Sequence, residues 1–412
     1  MLEHVFGSQE RIQELREGPQ GSLLEGFAEE LCRTGYAKKA TRARIRAAEH
    51  LLHWTQREGI PISDVTENLL ERFHQHLECC RCPGFGPIRS DLFTGHRLFL
   101  NYLRSRGLLM VSVEPNQDPP LLVAFRQWMR QVRGTCDGTL YNYGLSIQAL
   151  LARLGDDPRR FDAQNLRQFV LETSRHAEWG ETRKRTTALR MFLRFLICEG
   201  QCAAGLEAAI PVLAHWRQSS LPRYLLAEDV ERVIASCNLG TPMGRRDRAI
   251  LLLLARMGLR AGDIVKLRLG DIDWTEATVR VCGKGRRQTQ LPLTQEVGDA
   301  IVNYFKAGRP HTDTEALFLR ARAPFRALAS HTTVSTIVAQ AMRRAGVVCP
   351  SRGAAHVLRH SAATAMLRHG ASLQEIAIVL RHRFLTTTEI YAKVDVTALQ
   401  RIAQAWPEVQ SC

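Results

Sequence analysis

The phrase R-L-F-L-N-Y-L-R-S-R-G at Arg97–Gly107 returns as R-M-F-L-R-F-L-I-C-E-G at Arg190–Gly200. Self-similarity of this kind restricts the fold of a long chain more than any single residue does, because each copy must be a unit that packs the same way. The stretches upstream also correspond. Phe125, Gly134 and Thr139, followed by Tyr143, Ile147, Leu150 and Leu151, echo Phe27, Gly35 and Thr41 and the helix after them. The reading is two copies of one small helical domain, residues 1–113 and 121–215, divided by the Pro-rich linker Glu114-Pro115-Asn116-Gln117-Asp118-Pro119-Pro120. Convergent four-helix packing is the competing account. A chain of 412 residues exceeds one ordinary core. A third domain, 224–412, follows a linker at His215–Pro222.

Apolar residues at three-and-four spacing (Ile45, Ala48, Leu51, Leu52) make Leu23–Gly107 helical, with Thr41 as N-cap and a break at Cys82–Pro87. A short helix is expected over Gln9–Arg16. In the third domain, L-L-A-E-D-V-E-R-V-I reads as a helix from Ala227–Glu228, and Arg245–Gly258 as a very apolar helix leading to Arg260. A-T-V-R-V-C-G-K-G-R-R-Q-T-Q-L-P-L alternates, turns on Gly283-Lys284-Gly285 and alternates again, which is a β-hairpin. Helices follow at Gln295–Phe305, Thr332–Ala345, His356–His369 and Leu373–Leu380. The fold class is mainly α with a small antiparallel β-sheet.

The net charge of +15 and a pI near 9.7 are spread over the whole chain, which calls for an extended polyanion as partner. Lys38, Lys39, Arg42 and Arg44, and likewise Arg183, Lys184 and Arg185, are expected to open helices at equivalent places in the two copies, where a helix N-terminus adds its own positive end. Arg286 and Arg287 flank the hairpin tip and join this DNA-binding set. No signal-peptide-like run follows the N-terminus, and Leu251–Leu254 belong to a run too short for a bilayer, so a cytoplasmic protein is expected. Eleven scattered cysteines fit a reducing compartment. Cys79, Cys80 and Cys82 cluster behind His74 and His76, but no second C-x-x-C arm follows, and no metal is assigned.

Chemistry converges near the C-terminus. His356 and Arg359 stand three apart in H-V-L-R-H, on one helical face, where an imidazole and a guanidinium can address one phosphate. His382 follows in L-R-H, and nine residues later comes Tyr391. A phenol near a His and an Arg suits a nucleophile attacking an anionic centre.

This constellation resembles the signature of the tyrosine recombinases, the phage-integrase family: H-x-x-R, a His or Trp, then Tyr. Upstream, G-L-R-A-G-D-I-V-K-L at 258–267 is similar to the family's first Arg motif and supplies Arg260, and Lys284 matches its hairpin lysine. Two positions depart from the pattern. Arg381 stands where the family usually has Gly, with consequences for the turn into the Tyr segment, and Asp263 replaces the usual Glu, shortening a support to Arg260. The resemblance implies SAM-like helical domains and a C-terminal catalytic domain that clamp a DNA duplex, working as a tetramer on synapsed DNA or with sister recombinases.

In the implied reaction Arg260 and Arg359 neutralise the phosphate, Lys284 protonates the leaving 5′ oxygen, His356 is base or phosphate contact, and His382 adds a hydrogen bond. Tyr391 attacks to form a 3′-phosphotyrosine. The bond energy stays in that intermediate, so no cofactor and no metal are expected for the step. Arg352, Arg368, His360 and His369 are left as surface or supporting groups. Strand exchange for a mobile genetic element is the expected role. The alternatives are a weakly active DNA-bridging descendant and a type IB topoisomerase-like enzyme.

Overall fold

A computed structural model of the chain describes every residue except 19, 81, 83, 86–90, 110–117, 176, 213–220, 284–287, 352, 396–398, 401–402 and 404–412. The described residues are mainly helical, with one small antiparallel sheet. They divide into two compact units: Met1–Met110 with Gln218–Cys412, and Val111–Arg217.

The N-terminal segment of the first unit comprises α1 (Leu2–Val5), α2 (Gln9–Glu17), α3 (Gly21–Arg33), α4 (Lys38–Arg57), α5 (Glu67–Glu78) and α6 (Asp91–Ser105). Phe27, Ile45, Leu51, Trp54, Phe73, Phe99 and Leu103 meet in its core. The second unit holds α7 (Pro120–Arg133), α8 (Asp137–Leu154), α9 (Ala163–Ser174) and α10 (Trp179–Cys198) around Phe125, Ile147, Leu166, Leu189 and Phe192. From α3 and from α7 the order of elements is the same. Two helices precede a single 3-10 turn, Ile62–Asp64 or Pro158–Arg160, and two more follow it. The third helix of each set is capped alike. Thr66 accepts the Leu69 N–H, and Asp162 accepts the Asn165 N–H, satisfying donors that the first turn of a helix leaves open.

Two local expectations need correction. Thr41 is not an N-cap, because the good helix formers Lys38-Lys39-Ala40 start α4 a turn earlier. Thr41 is buried, and its hydroxyl donates to the Tyr36 carbonyl at 3.3 Å. Arg183–Arg185 do not open a helix either, since Trp179-Gly180-Glu181 form the first turn of α10. The basic runs therefore occupy different places, at the start of the second helix in one set and one turn into the fourth in the other.

The C-terminal segment of the first unit is built on α12 (Pro242–Ala255), which follows α11 (Ala227–Ala235). Leu251, Leu252, Leu253 and Leu254 are all fully buried, and a helix apolar on every side has to be central. α13 (Ala261–Lys266) leads into β1 (Ile272–Asp273), β2 (Thr278–Cys282) and β3 (Gln288–Pro292), an antiparallel meander in which Cys282 pairs with Gln288. The expected hairpin is thus present, while Lys284, Arg286 and Arg287 at its tip lie outside the described residues. α14 (Gln295–Ala307), α15 (His331–Arg344), α16 (Ala354–Arg368) and α17 (Leu373–Val379) complete the segment, and a 3-10 turn over Glu389–Val394 carries Tyr391. α12 does not deliver Arg260 directly. It ends at Ala255, and Gly258, at a φ of +59°, turns the chain so that Arg260 sits extended at the start of α13.

Within this first unit the Phe325 N–H donates to the Thr34 carbonyl at 3.0 Å, joining the α3–α4 turn to the loop before α15. Among the described residues no helix is long and apolar enough to cross a membrane. Leu399 and Ala403 extend the backbone bonding past Asp395 by two helical hydrogen bonds.

Candidate active site

Four stretches bring ionisable side chains together. α16 presents His356, Arg359 and His360 at i, i+3 and i+4, hence on one face. The start of α13 contributes Arg260, and the turn after α17 contributes Arg381 and His382. Tyr391 closes the group from its 3-10 turn.

Tyr391 is 1% exposed and packs with Ala363, Leu367, Ile376 and Leu380. Its hydroxyl lies 2.8 Å from Nδ1 of His360, with the two ring centroids 5.6 Å apart. Burial pushes the phenol up to about 12, against a smaller opposing pull from Arg359. Burial, then the neighbouring charges of His356 and Arg359, hold His360 down at about 4. His360 is therefore a neutral imidazole able to accept the phenolic proton. Sequence reasoning passed it over as a surface or supporting group, although a His at i+4 from His356 on an α16 face already shared by Arg359 was a usable signal.

The arginines are anchored by backbone. Arg359, 5% exposed, donates Nη1 to the Gly258 carbonyl and Nη2 to the Leu380 carbonyl at 2.6 Å. Burial and then Arg260 push it down to about 10, so it is cationic at neutral pH. Arg260 donates Nη2 to the Arg381 carbonyl at 2.9 Å, and burial lowers its pKa from the ordinary guanidinium value. His382 lies 2.8 Å from the Thr388 hydroxyl, and burial, then Arg359 and Arg260, hold it at about 4. His356 keeps an exposed edge. The protein packed around its ring, then the charges of Arg359, His331 and Arg260, lower its pKa from the ordinary value.

The two departures from the family pattern meet here. The Arg381 guanidinium is ion-paired with Asp263, both side chains being less than a tenth exposed. Asp263 also accepts the Arg260 N–H at 3.3 Å, while the Arg381 carbonyl accepts from the Arg260 side chain. A closed ring of contacts thus positions Arg260. Arg381 adopts a left-handed φ of +54°, a conformation for which glycine is the usual residue. The two residues that depart from the family pattern are thus ion-pair partners of one another.

The remaining basic residues separate by what they touch. Lys38, Lys39, Arg183 and Lys184 are exposed. Arg42 donates to the Val5 carbonyl at 2.8 Å, Arg44 to Ala40 at 2.9 Å over the Tyr36 ring, and Arg185 to Thr173 while pairing with Glu181. Those three are engaged within their own segments.

Comparison with known proteins gives a consistent result. Residues 223–397 match the model of the phage integrase family. Over 399 residues, covering 95% of both chains, the sequence is 35% identical to y4rA of Sinorhizobium fredii, whose name describes an integrase/recombinase. It is 30% identical to the tyrosine recombinase XerD of Yersinia pestis over 70% of this chain and 97% of that one. The fold is similar to that of XerH site-specific recombinase bound to palindromic difH substrate (TM-score 0.57, 18% identity, 84% of this chain and 99% of that one). It is also similar to a lambda integrase tetramer bound to a Holliday junction (TM-score 0.52, 17% identity, 79% and 91%).

Proposed function

The chain belongs to the phage integrase family, the tyrosine recombinases, and from that premise we propose that it cleaves and rejoins DNA strands site-specifically through a 3′-phosphotyrosine on Tyr391. The observation that carries this reading is the 2.8 Å contact between the buried Tyr391 hydroxyl and a neutral His360, beside the anchored Arg359. The phenol oxygen attacks the phosphorus, its proton passes to His360 Nδ1, and the 5′ oxygen leaves with a proton. Arg260 and Arg359 hold the non-bridging oxygens in the transition state, where charge-assisted donors act most strongly. His356 and His382 add phosphate contacts, and Lys284 is the donor to the leaving oxygen.

The two pKa values make the free protein chemically quiet. Burial raises the phenol's pKa and lowers the imidazole's, so proton transfer from one to the other is uphill before a phosphate is seated. Proton transfer is therefore proposed to accompany formation of the O–P bond. Cleavage then depends on a phosphate seated between the arginines.

The domains proposed to serve this chemistry are 1–113 and 121–215, as two copies of a core-binding helical fold, and 224–412 as the catalytic domain. Lys38, Lys39, Arg183 and Lys184 are the exposed groups proposed to meet DNA phosphates, with Arg286 and Arg287 at the hairpin. A tetramer on synapsed DNA, a mobile genetic element as client and a cytoplasmic location complete the proposal. The test is covalent trapping on duplexes from the neighbouring genome, in a chelator and without nucleotide. An adduct is expected with the natural chain and none with Tyr391→Phe, which should bind DNA equally well. An adduct that persists in Tyr391→Phe sinks the assignment.

A further inference from the structure

Far from Tyr391 in sequence, four soft donors meet at one point in the N-terminal segment. His50 comes from the middle of α4, His76 from the last turn of α5, and Cys80 and Cys82 from the residues just after it. We propose that His50, His76, Cys80 and Cys82 form a Cys2His2 site for a structural zinc ion.

The ligand atoms are close enough to share one ion. The four ligand atoms all lie within 4.8 Å of one another. Cys80 Sγ is 3.3 Å from His50 Nε2, and Cys82 Sγ is 3.5 Å from His76 Nε2. Zinc–sulfur bonds of about 2.3 Å and zinc–nitrogen bonds of about 2.0 Å at tetrahedral angles place sulfur and nitrogen roughly 3.5 Å apart. Both imidazoles turn the same nitrogen, Nε2, toward the sulfurs, and hydrophobic packing alone has no reason to orient four such groups on one centre. The rings are held from behind: His50 stacks on Phe85 at 4.1 Å and 9°, with its neighbour Phe73 edge-on at 5.3 Å. The Cys82 N–H donates to Cys80 Sγ at 3.3 Å, and Arg57 donates to Cys82 Sγ at 3.8 Å. Such donors suit sulfur that carries negative charge.

The arrangement is also selective. Cys79, adjacent to Cys80, is exposed, and its sulfur lies against the carbonyls of Gln75 and His76. The His74 ring neighbours Phe73 and His96. Of the five residues that cluster in sequence, the fold takes three and adds His50 from thirty positions upstream of Cys80. Two imidazoles and two thiolates favour a borderline-soft divalent cation with tetrahedral coordination, and zinc fits that description. Binding replaces two thiol protons by Zn²⁺, so two protons are released and the site is neutral. All four coordination positions are protein side chains, which makes the site structural. It would pin the end of α5 to α4. It contains no group of the Tyr391 cluster, so it neither requires nor supports the strand-transfer reading.

The experiment uses the full chain, purified under reducing conditions and reconstituted with zinc, with bound metal quantified by mass spectrometry. One zinc per chain is expected, retained in Cys79→Ser and His74→Gln and lost in Cys82→Ser and His50→Gln. Because loss in a variant could follow from unfolding, the natural chain is also loaded with cobalt(II). Intense tetrahedral ligand-field bands together with thiolate-to-cobalt charge transfer are expected. No retained metal, a weak octahedral cobalt spectrum without charge transfer, or zinc that survives Cys82→Ser and His50→Gln would overturn the proposal.

Discussion

Asp263→Ala removes the only acidic partner of Arg381 that the described residues show and strands a guanidinium that is less than a tenth exposed. Breaking a buried pair from one side typically costs about 3–5 kcal/mol, because the remaining charge stays desolvated. For a unit of this size each kcal/mol moves Tm by roughly 2–4 °C, so a fall on the order of 10 °C is expected. Arg381→Gly strands Asp263 instead, but Asp263 keeps the Arg260 N–H, and glycine relieves a left-handed φ that costs a larger residue about 1–2 kcal/mol. Its penalty should be the smaller of the two. The double variant leaves neither charge buried, and a coupling on the order of 2–4 kcal/mol follows, well beyond the roughly 0.5 kcal/mol within which independent sites add. Arg381→Gly also retains the carbonyl that accepts from Arg260, so cleavage per folded molecule should stay near that of the natural chain, and restoring the longer acid as Asp263→Glu in that background should be tolerated. Thermal melts and single-turnover cleavage of the four proteins complete the cycle. Strict additivity in Tm would refute the idea that the two departures compensate one another.

His360→Ala should slow cleavage about 10²–10⁴-fold with DNA binding unchanged, the range for losing a positioned proton acceptor; gel-shift and adduct assays run in parallel separate the two, and equal losses would make His360 a packing residue. Arg260→Ala and Arg359→Ala should each lower cleavage about 10²–10³-fold, but only the second should also lower Tm markedly, since it leaves the buried Gly258 and Leu380 carbonyls without their donor. Stability should fall with acid. His360 and His382 are held near 4 when folded and regain an ordinary value near 6.5 when unfolded, so the unfolded chain binds more protons between those limits. The stability they confer is complete above about pH 6.5 and declines as the pH drops toward 4. Melts at intervals across that window test it, with chain lacking His360 and His382 showing a shallower decline, and an identical slope would locate the titration elsewhere.

Helical class and the hairpin were legible along the chain, because period and spacing are local. His356 and Arg359 share a face by virtue of 3.6 residues per turn, and the alternation around Gly283 predicts two paired strands whatever packs on them. Element ends were less legible. Lys38-Lys39-Ala40 start the helix a turn before Thr41, the expected N-cap, since good helix formers extend the first turn past a capping side chain. Partnerships between distant residues were not legible at all. That His360 meets Tyr391, that Arg381 meets Asp263 118 positions away, and that His50 rather than His74 joins the two cysteines are consequences of how helices stack. Side-chain periodicity says which face of a helix is apolar, but not which other helix covers it. A contact across the core is selected by the close packing of the whole segment, and only the folded chain contains that information.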